Sequence, residues 1–424
     1  MKVVAASDPS ALSGLLDGAW MAPAGVVSEV AGILDEVRRR GDAAIVEYGR
    51  RYDDEAYDLS KLRVPIPMVE GARALVSKEI AAALELAKER IERFHQRQRQ
   101  PDVAYVEEDG TRYSFARTPL RSVAVYASRT QAAAAVLMAV VPAKIAGVSR
   151  VAVLSPPGSQ GVLPAVLFAC ATCAVDELYA VGGAQAIGAA AFGTESIARV
   201  EKIVGRGGVI TTEAKRQVYG RCGIDALAGP AELFVVADDG ANSEYVVGEL
   251  LAAAELPGVR RIGVISESRP LLEAVGQLID TLDVSTVERN EFVGEAIGEH
   301  CRLIEVAGRD ELLDVLNRLA PAYCSLQVRD PSRYVDRIHA AGAIFAGDMT
   351  PIGSEYLAGI SSVVPSAGSA RFASTLSLSD FTRAYSIVEN SVERTANDAA
   401  AMAVLAEFDG LPHHAQTARM RFGG

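Results

Sequence analysis

Two glycine-built turns are the residues in this chain whose type and spacing point most directly to chemistry. Residues 180–216 read as strand, tight turn, helix, strand, second turn, helix, with Gly182-Gly183 at the first turn and Gly205-Arg206-Gly207-Gly208 at the second. Glycine there permits positive φ and lets a ligand approach the main chain. The helix start behind each turn offers unpaired N–H groups to an anion, as a dinucleotide would require. Other reactive groups are sparse. Cys170 and Cys173 form a C-x-x-C pair, but inside an apolar helical run and without a second pair. The five cysteines are odd in number and scattered, which reads as buried thiols in a reducing setting. Cys324 lies where a buried strand should begin, and His413-His414 read as exposed histidines of the tail.

A chain of 424 residues exceeds one ordinary core, so two or more domains are expected. The net charge of −12 argues against nucleic-acid and anionic-membrane partners. Met1–Ala11 has no apolar signal-like core, and no run of about 18 uncharged apolar residues follows. A cytoplasmic protein is expected. Apolar residues at helical spacing predict helices over Gly25–Tyr52 and Glu79–Gln98, read as an N-terminal arm or cap. Strands at 122–126, 151–154, 177–181 and 202–204 alternate with helices, and the pattern restarts at Leu233 and continues to Phe345. Such alternation implies parallel sheets. The fold class is therefore α/β, with parallel sheets in two units of similar size and helical extensions. The expected divisions are 1–120 (helical arm plus part of the second α/β domain), 121–235 (nucleotide-binding type), 236–380 (second α/β domain) and 381–424 (helical tail). The Gly/Ser-rich span 353–377 is the expected long functional loop.

Several longer stretches carry a family resemblance. Arg39-Arg40-Gly41-Asp42 with Tyr52-Asp53, Phe94-His95 with Gln98, Val140–Gly147, Val181–Ile187, Gly193-Thr194-Glu195, Val200–Gly205, Gly223–Glu232 and Ala341–Phe345 together resemble histidinol dehydrogenase over nearly the whole chain. The resemblance implies two incomplete Rossmann-like parallel-sheet domains with small extensions, in an intertwined homodimer. It also implies oxidation of an amino alcohol to an amino acid with two NAD molecules and a bound zinc. At the implied site the side chains depart from the family. Ala253 and Leu256 stand where a zinc-binding Gln and His are expected. Ala322 and Tyr323 replace a catalytic Glu-His, and Ser354-Glu355-Tyr356 replaces G-D-Y one residue early. Ser361 and Ser362 replace Asn-His, Asp409 replaces a substrate-contacting Glu, and Ala231 a Ser. Only His414 matches a family zinc ligand. On the nucleotide side Tyr126 and Gln185 persist. Arg129 occupies a lost glycine position and becomes a candidate phosphate contact, while Gly207 and Gly208 replace a Gly-Asn turn.

Zinc needs N, S or O donors, so the expectation is a protein without zinc. Tyr323, Glu355 and His414 are the expected acid–base residues. Tyr323 would need a lowered phenol pKa to act as a base. Ala231, Ala253, Leu256, Tyr356 and Asp409 are expected to line the substrate pocket. Tyr126, Gln185, Gly207 and Gly208 are expected to hold NAD. The function expected from these changes is NAD-linked oxidation of a small alcohol, amine or amino-acid-like metabolite other than histidinol, in specialised biosynthesis. A non-redox enzyme and a silent ligand-binding paralogue are the alternatives.

Overall fold

The computed structural model describes residues 1–16, 22–129, 132–227, 229, 232–258, 261–286 and 288–422. They fall into two compact units, residues 1–98 with 120–381 and residues 99–119 with 382–424.

The larger unit holds two parallel sheets. The first has the strand order Glu177–Ala180, Arg150–Ser155, Ser122–Tyr126, Lys202–Val204, Gly223–Ile224. Its central strand, Ser122–Tyr126, is buried along its length, as a parallel sheet covered on both faces requires. Alternate residues face opposite layers. Val123, Val125, Val151 and Val153 pack with Ala81, Ala87 and Ile91. Ala124, Tyr126, Ala152 and Leu154 pack with Val30, Ile33, Leu34, Val37, Ala44 and Ile45. The N-terminal helices Ala24–Arg40, Asp42–Tyr52 and Lys78–Gln96 are therefore layers of this sheet, not an arm or cap. The helix expected over Gly25–Tyr52 breaks at Gly41, where φ is +56°. The Glu195 carboxylate fills the space of a Cβ there and accepts the Asp42 N–H at 2.8 Å.

From Ser122–Tyr126 the chain winds outward to Glu177–Ala180, then returns to the other side of the central strand. Ligands of open α/β sheets bind outside the carboxyl ends of the strands at such a reversal. Here the reversal brings Gly205 against Tyr126. Gly205 has φ +118°, and a Cβ on it would meet the Tyr126 main-chain carbon and nitrogen at 3.0 Å.

The second sheet has the order Val3–Ala5, Cys301–Glu305, Arg261–Ser266, Glu232–Ala237, Tyr323–Gln327, Ala343–Ala346, again parallel throughout. Its helix Ser243–Ala254 follows Glu232–Ala237 and runs back, so Ala253 and Ala254 join Ala322 and Tyr323 in one apolar cluster at the amino edge. The division expected at residue 235 falls inside Glu232–Ala237, and the first sheet ends at Ile224. The span 353–377 is not an open loop. Ser361–Ser366 are buried; Val363 and Leu376 join the core of the first sheet, and Val364 that of the second.

The smaller unit is an antiparallel sheet, Thr382–Glu389, Arg112–Pro119, Val103–Val106, with helices Val392–Phe408 and Pro412–Phe422. The tail expected to be helical throughout thus opens with a strand. Its Tyr385, Ile387 and Val388 are strand formers.

Candidate active site

Tyr323 opens its strand at the amino edge of the second sheet and is 1% exposed. Its hydroxyl donates to Glu355 Oε2 at 2.9 Å and lies 3.5 Å from the Ser362 carbonyl oxygen. Glu355 is buried on the 3-10 turn Ile352–Tyr356. That turn is anchored by Glu249, whose two carboxylate oxygens accept the Ile352 N–H at 3.2 and 3.0 Å. Glu249 is itself buried on Ser243–Ala254; burial pushes its carboxyl up, and the Ile352 N–H opposes this. The phenol–carboxylate pair is thus tied to both the strand and the neighbouring helix.

Burial, and then the Glu355 charge, push the Tyr323 phenol well above its ordinary range, while the Arg206 charge opposes them. The phenol stays protonated and acts as a hydrogen-bond donor. The base role expected for Tyr323 is therefore corrected: a base there needs the opposite shift. Cys324 is buried, and burial pushes its thiol up to about 12, so it is inert. Cys173 behaves in the same way.

Ala253 is 1% exposed and belongs to the cluster that holds Tyr323, Phe345, Ile352 and Val364, with Leu256 and Ile360 packed against it. Those two positions present hydrocarbon, and Glu355 already accepts the Tyr323 hydroxyl. This donor set does not fit the four-donor shell of a structural or catalytic zinc. Among the described residues one His/Asp/Glu group converges, Glu295, Glu299 and His300, and it includes none of the positions implied by the resemblance. Tyr356 is exposed. Asp409 and His414 belong to the smaller unit, where both are exposed. Ala231 lies outside the described residues.

At the carboxyl edge of the first sheet, the expected nucleotide residues do meet. Tyr126 is buried, and its hydroxyl accepts the Gly183 N–H at 3.2 Å and also bonds Thr211. Gly183 has φ +64°, and the Gln185 side-chain oxygen sits 2.5 Å from where its Cβ would be. The second turn is held from beneath. Asp225 Oδ2 accepts the Gly205 N–H at 2.6 Å, and Lys215 Nζ donates to the Gly205 carbonyl at 2.9 Å. Lys215 and Asp225 also pair with each other, both fully buried. Thr211 crowds Gly207, whereas a Cβ at Gly208 would meet nothing within 4 Å. Gly208 is therefore open space before the helix Val209–Val218 and not a demand of the fold. Arg129 braces Pro157, with Nη2 2.7 Å from its carbonyl, and lies 3.4 Å from Asp53 Oδ1. Its guanidinium is thus engaged by the protein, not held ready for phosphate.

Sequence reasoning assigned no role to Glu249, Lys215, Asp225 or Arg206. A buried pair ten residues apart has no periodic signature. Arg206 did leave one, as a lone cation inside a run of three glycines.

Two parallel sheets, each reversing strand order about a central strand, with glycine turns on one and a phenol–carboxylate pair on the other, define a two-sheet Rossmann-like α/β protein. The family model Histidinol dehydrogenase matches residues 21–422. The chain is 37% identical over 401 residues to histidinol dehydrogenase of Listeria monocytogenes serotype 4b (strain F2365), covering 94% of this chain and 93% of that one. It is 38% identical over 422 residues to histidinol dehydrogenase of Caulobacter vibrioides (strain ATCC 19089 / CIP 103742 / CB 15), covering 98% and 97%. A crystal structure of histidinol dehydrogenase from Elizabethkingia anophelis superposes with a TM-score of 0.89 at 26% identity, covering 97% of this chain and 95% of that chain. The chain belongs to the histidinol dehydrogenase family, whose members are NAD-using oxidoreductases. This overturns the expectation of a non-histidinol activity, together with its non-redox and silent alternatives. Both of these curated relatives, matched almost end to end, carry the histidinol dehydrogenase name. Among the described residues no helix is long and apolar enough to cross a membrane.

Proposed function

We infer that this chain oxidises histidinol with NAD, and that it does so without zinc held at the positions of Ala253 and Leu256. The near end-to-end match to histidinol dehydrogenases carries the substrate reading. The hydrocarbon at 253 and 256 supports the metal-free part.

NAD, when bound, accepts the hydride that leaves the alcohol carbon. The chain's own residues do the rest. Glu355, oriented by the Tyr323 hydroxyl, receives the alcohol proton. Tyr323 positions that carboxylate and fills the space between Phe345 and the helix Ser243–Ala254. Ala253 and Leu256 present an apolar wall beside the reacting carbon, and the aldehyde takes up one water before its second oxidation to the acid. Tyr126, Gln185, Gly207 and Gly208 are the residues at which the dinucleotide would lie, the open space at Gly208 admitting it beside the helix start.

The reading includes a homodimer in a cytoplasmic setting. Five unpaired thiols support the compartment. In the smaller unit Val392, Val404, Leu405, Phe408 and Met420 are 64–89% exposed, and a second copy of the chain is the occupant that would cover them. The test is steady-state turnover of purified protein with histidinol and NAD, with product analysis. Two NADH per histidine formed is the expected result; no NADH from histidinol overturns the reading.

A further inference from the structure

Glu249 is a buried carboxylate on the helix Ser243–Ala254 that the reading above leaves without a task in turnover. It stands four residues before Ala253, so the two share one helix face. Ala253 packs in the cluster that holds Tyr323, Phe345 and Ile352. A carboxylate buried beside such hydrocarbon is costly unless a donor meets it. The Ile352 N–H is that donor, 3.2 and 3.0 Å from the two oxygens.

Ile352 is the first residue of the 3-10 turn Ile352–Tyr356, and Glu355 lies three residues on. The first N–H groups of a helical turn have no partner within it. Pro351, at the cap position, supplies no side-chain acceptor. Glu249, 103 residues away along the chain, supplies one. A hydrogen bond to an ionised acceptor is roughly twice as strong as a neutral one. Residues three apart eclipse one another in a 3-10 turn, so what fixes the Ile352 peptide also fixes the direction in which Glu355 leaves the main chain. With hydrocarbon at 253 and 256, hydrogen bonds must orient Glu355. The Tyr323 hydroxyl holds its carboxylate at 2.9 Å, and Glu249 holds the turn beneath it.

We propose that Glu249 is a positioning residue for the reaction: by capping the Ile352–Tyr356 turn it keeps Glu355 where the alcohol proton is delivered. The proposal rests on the reading of Glu355 as proton acceptor given above. Glu249 takes no proton from the substrate; its effect runs through the Ile352 peptide. Misplacing a reacting group by about 1 Å costs about 100-fold in rate, so loss of the cap should appear in kcat. Tyr126, on the nucleotide side, belongs to the first sheet, so cofactor affinity should be spared.

The test is steady-state turnover of the full-length protein with histidinol and NAD. Glu249→Ala should lower kcat at least about ten-fold and leave the KM for NAD within about two-fold of wild type. Glu249→Gln keeps an acceptor oxygen at the same reach and should recover most of the loss. Glu249→Asp keeps the charge but shortens the side chain by one methylene, and should lower kcat; it carries the test if Glu249→Ala does not fold. Glu249→Asp combined with Tyr323→Phe should lose less than the product of the two single losses, because both act through one carboxylate. A general structural effect would multiply instead. Glu355→Gln is the control. If Glu355→Gln abolishes turnover while the Glu249 variants keep the wild-type kcat, or if the double variant loses the full product, the proposal is overturned and the substrate reading stands. If wild-type protein does not oxidise histidinol, or Glu355→Gln turns over as wild type does, the reading of Glu355 falls and takes the proposal with it.

Discussion

Tyr323→Phe removes a single hydroxyl from a buried side chain. The ring keeps its place beside Phe345, at 5.9 Å between centroids, so packing is preserved. What is lost is the 2.9 Å hydrogen bond to the Glu355 carboxylate. Hydrogen bonds to charged groups contribute about 1.5–3 kcal/mol, so the variant should unfold about 2 kcal/mol more easily. Glu355→Gln keeps one acceptor oxygen and should cost less, about 1 kcal/mol. The double variant should cost less than the sum by at least about 1 kcal/mol, since the shared bond is lost only once. Urea unfolding of the four proteins measures this. Strict additivity, within about 0.5 kcal/mol, would refute the idea that the two residues act as a unit. The pH dependence supplies a second reading. The phenol is raised above its ordinary value of 10.0. The stability it contributes is therefore present below about pH 10 and is lost as pH climbs through the folded-state value, by at most about 1.4 kcal/mol per pH unit. The gap between wild type and Tyr323→Phe should narrow above that pH. A gap that stays constant would contradict the assignment. If Tyr323 orients Glu355 for proton transfer, about 2 kcal/mol of lost orientation corresponds to roughly 30-fold in kcat.

The glycine turns and a buried histidine give two further tests. Gly205→Ala places a Cβ against the Tyr126 main chain at φ +118° and should cost more than about 2 kcal/mol, whereas Gly208→Ala, with nothing within 4 Å, should stay within about 0.5 kcal/mol of wild type. Thermal or urea unfolding separates the two, and equal losses would refute the assignment of one glycine to the fold and the other to open space. His95 is fully buried with Nδ1 2.8 Å from Gln98 Oε1, and burial lowers its pKa from 6.5. Its contribution is present above pH 6.5 and fades as pH falls through the folded-state value, by up to about 1.4 kcal/mol per unit. In unfolding titrations across that range, His95→Gln should flatten the acid-side slope, and an unchanged slope would assign it to other groups.

Much of the fold could be read from apolar spacing. The central strands and the helices behind them are continuous or periodic apolar runs, and a buried parallel sheet leaves that trace. The tail strand Thr382–Glu389 escaped because it is largely exposed and leaves no buried apolar trace. The break at Gly41 escaped because its cause, Glu195, lies 153 residues from Asp42, the residue it caps. At the site, Tyr323 and Glu355 were named from position, and the structure joins them. The base role expected for Tyr323 does not hold, since burial that raises a phenol cannot be seen in residue order. Glu249 and the Lys215–Asp225 pair act through tertiary contacts and leave no motif. The substitutions at 253 and 256 were legible as hydrocarbon. The step from there to a different substrate was not warranted, because a change of ligands says nothing about which molecule the remaining frame accepts.

The most direct measurement is histidinol oxidation by protein whose zinc content has been determined, assayed with NAD before and after exhaustive chelation. The account predicts turnover that chelation leaves unchanged, in protein holding far less than one zinc per chain. Turnover abolished by the chelator and restored by zinc, or no turnover of histidinol at all, would contradict it.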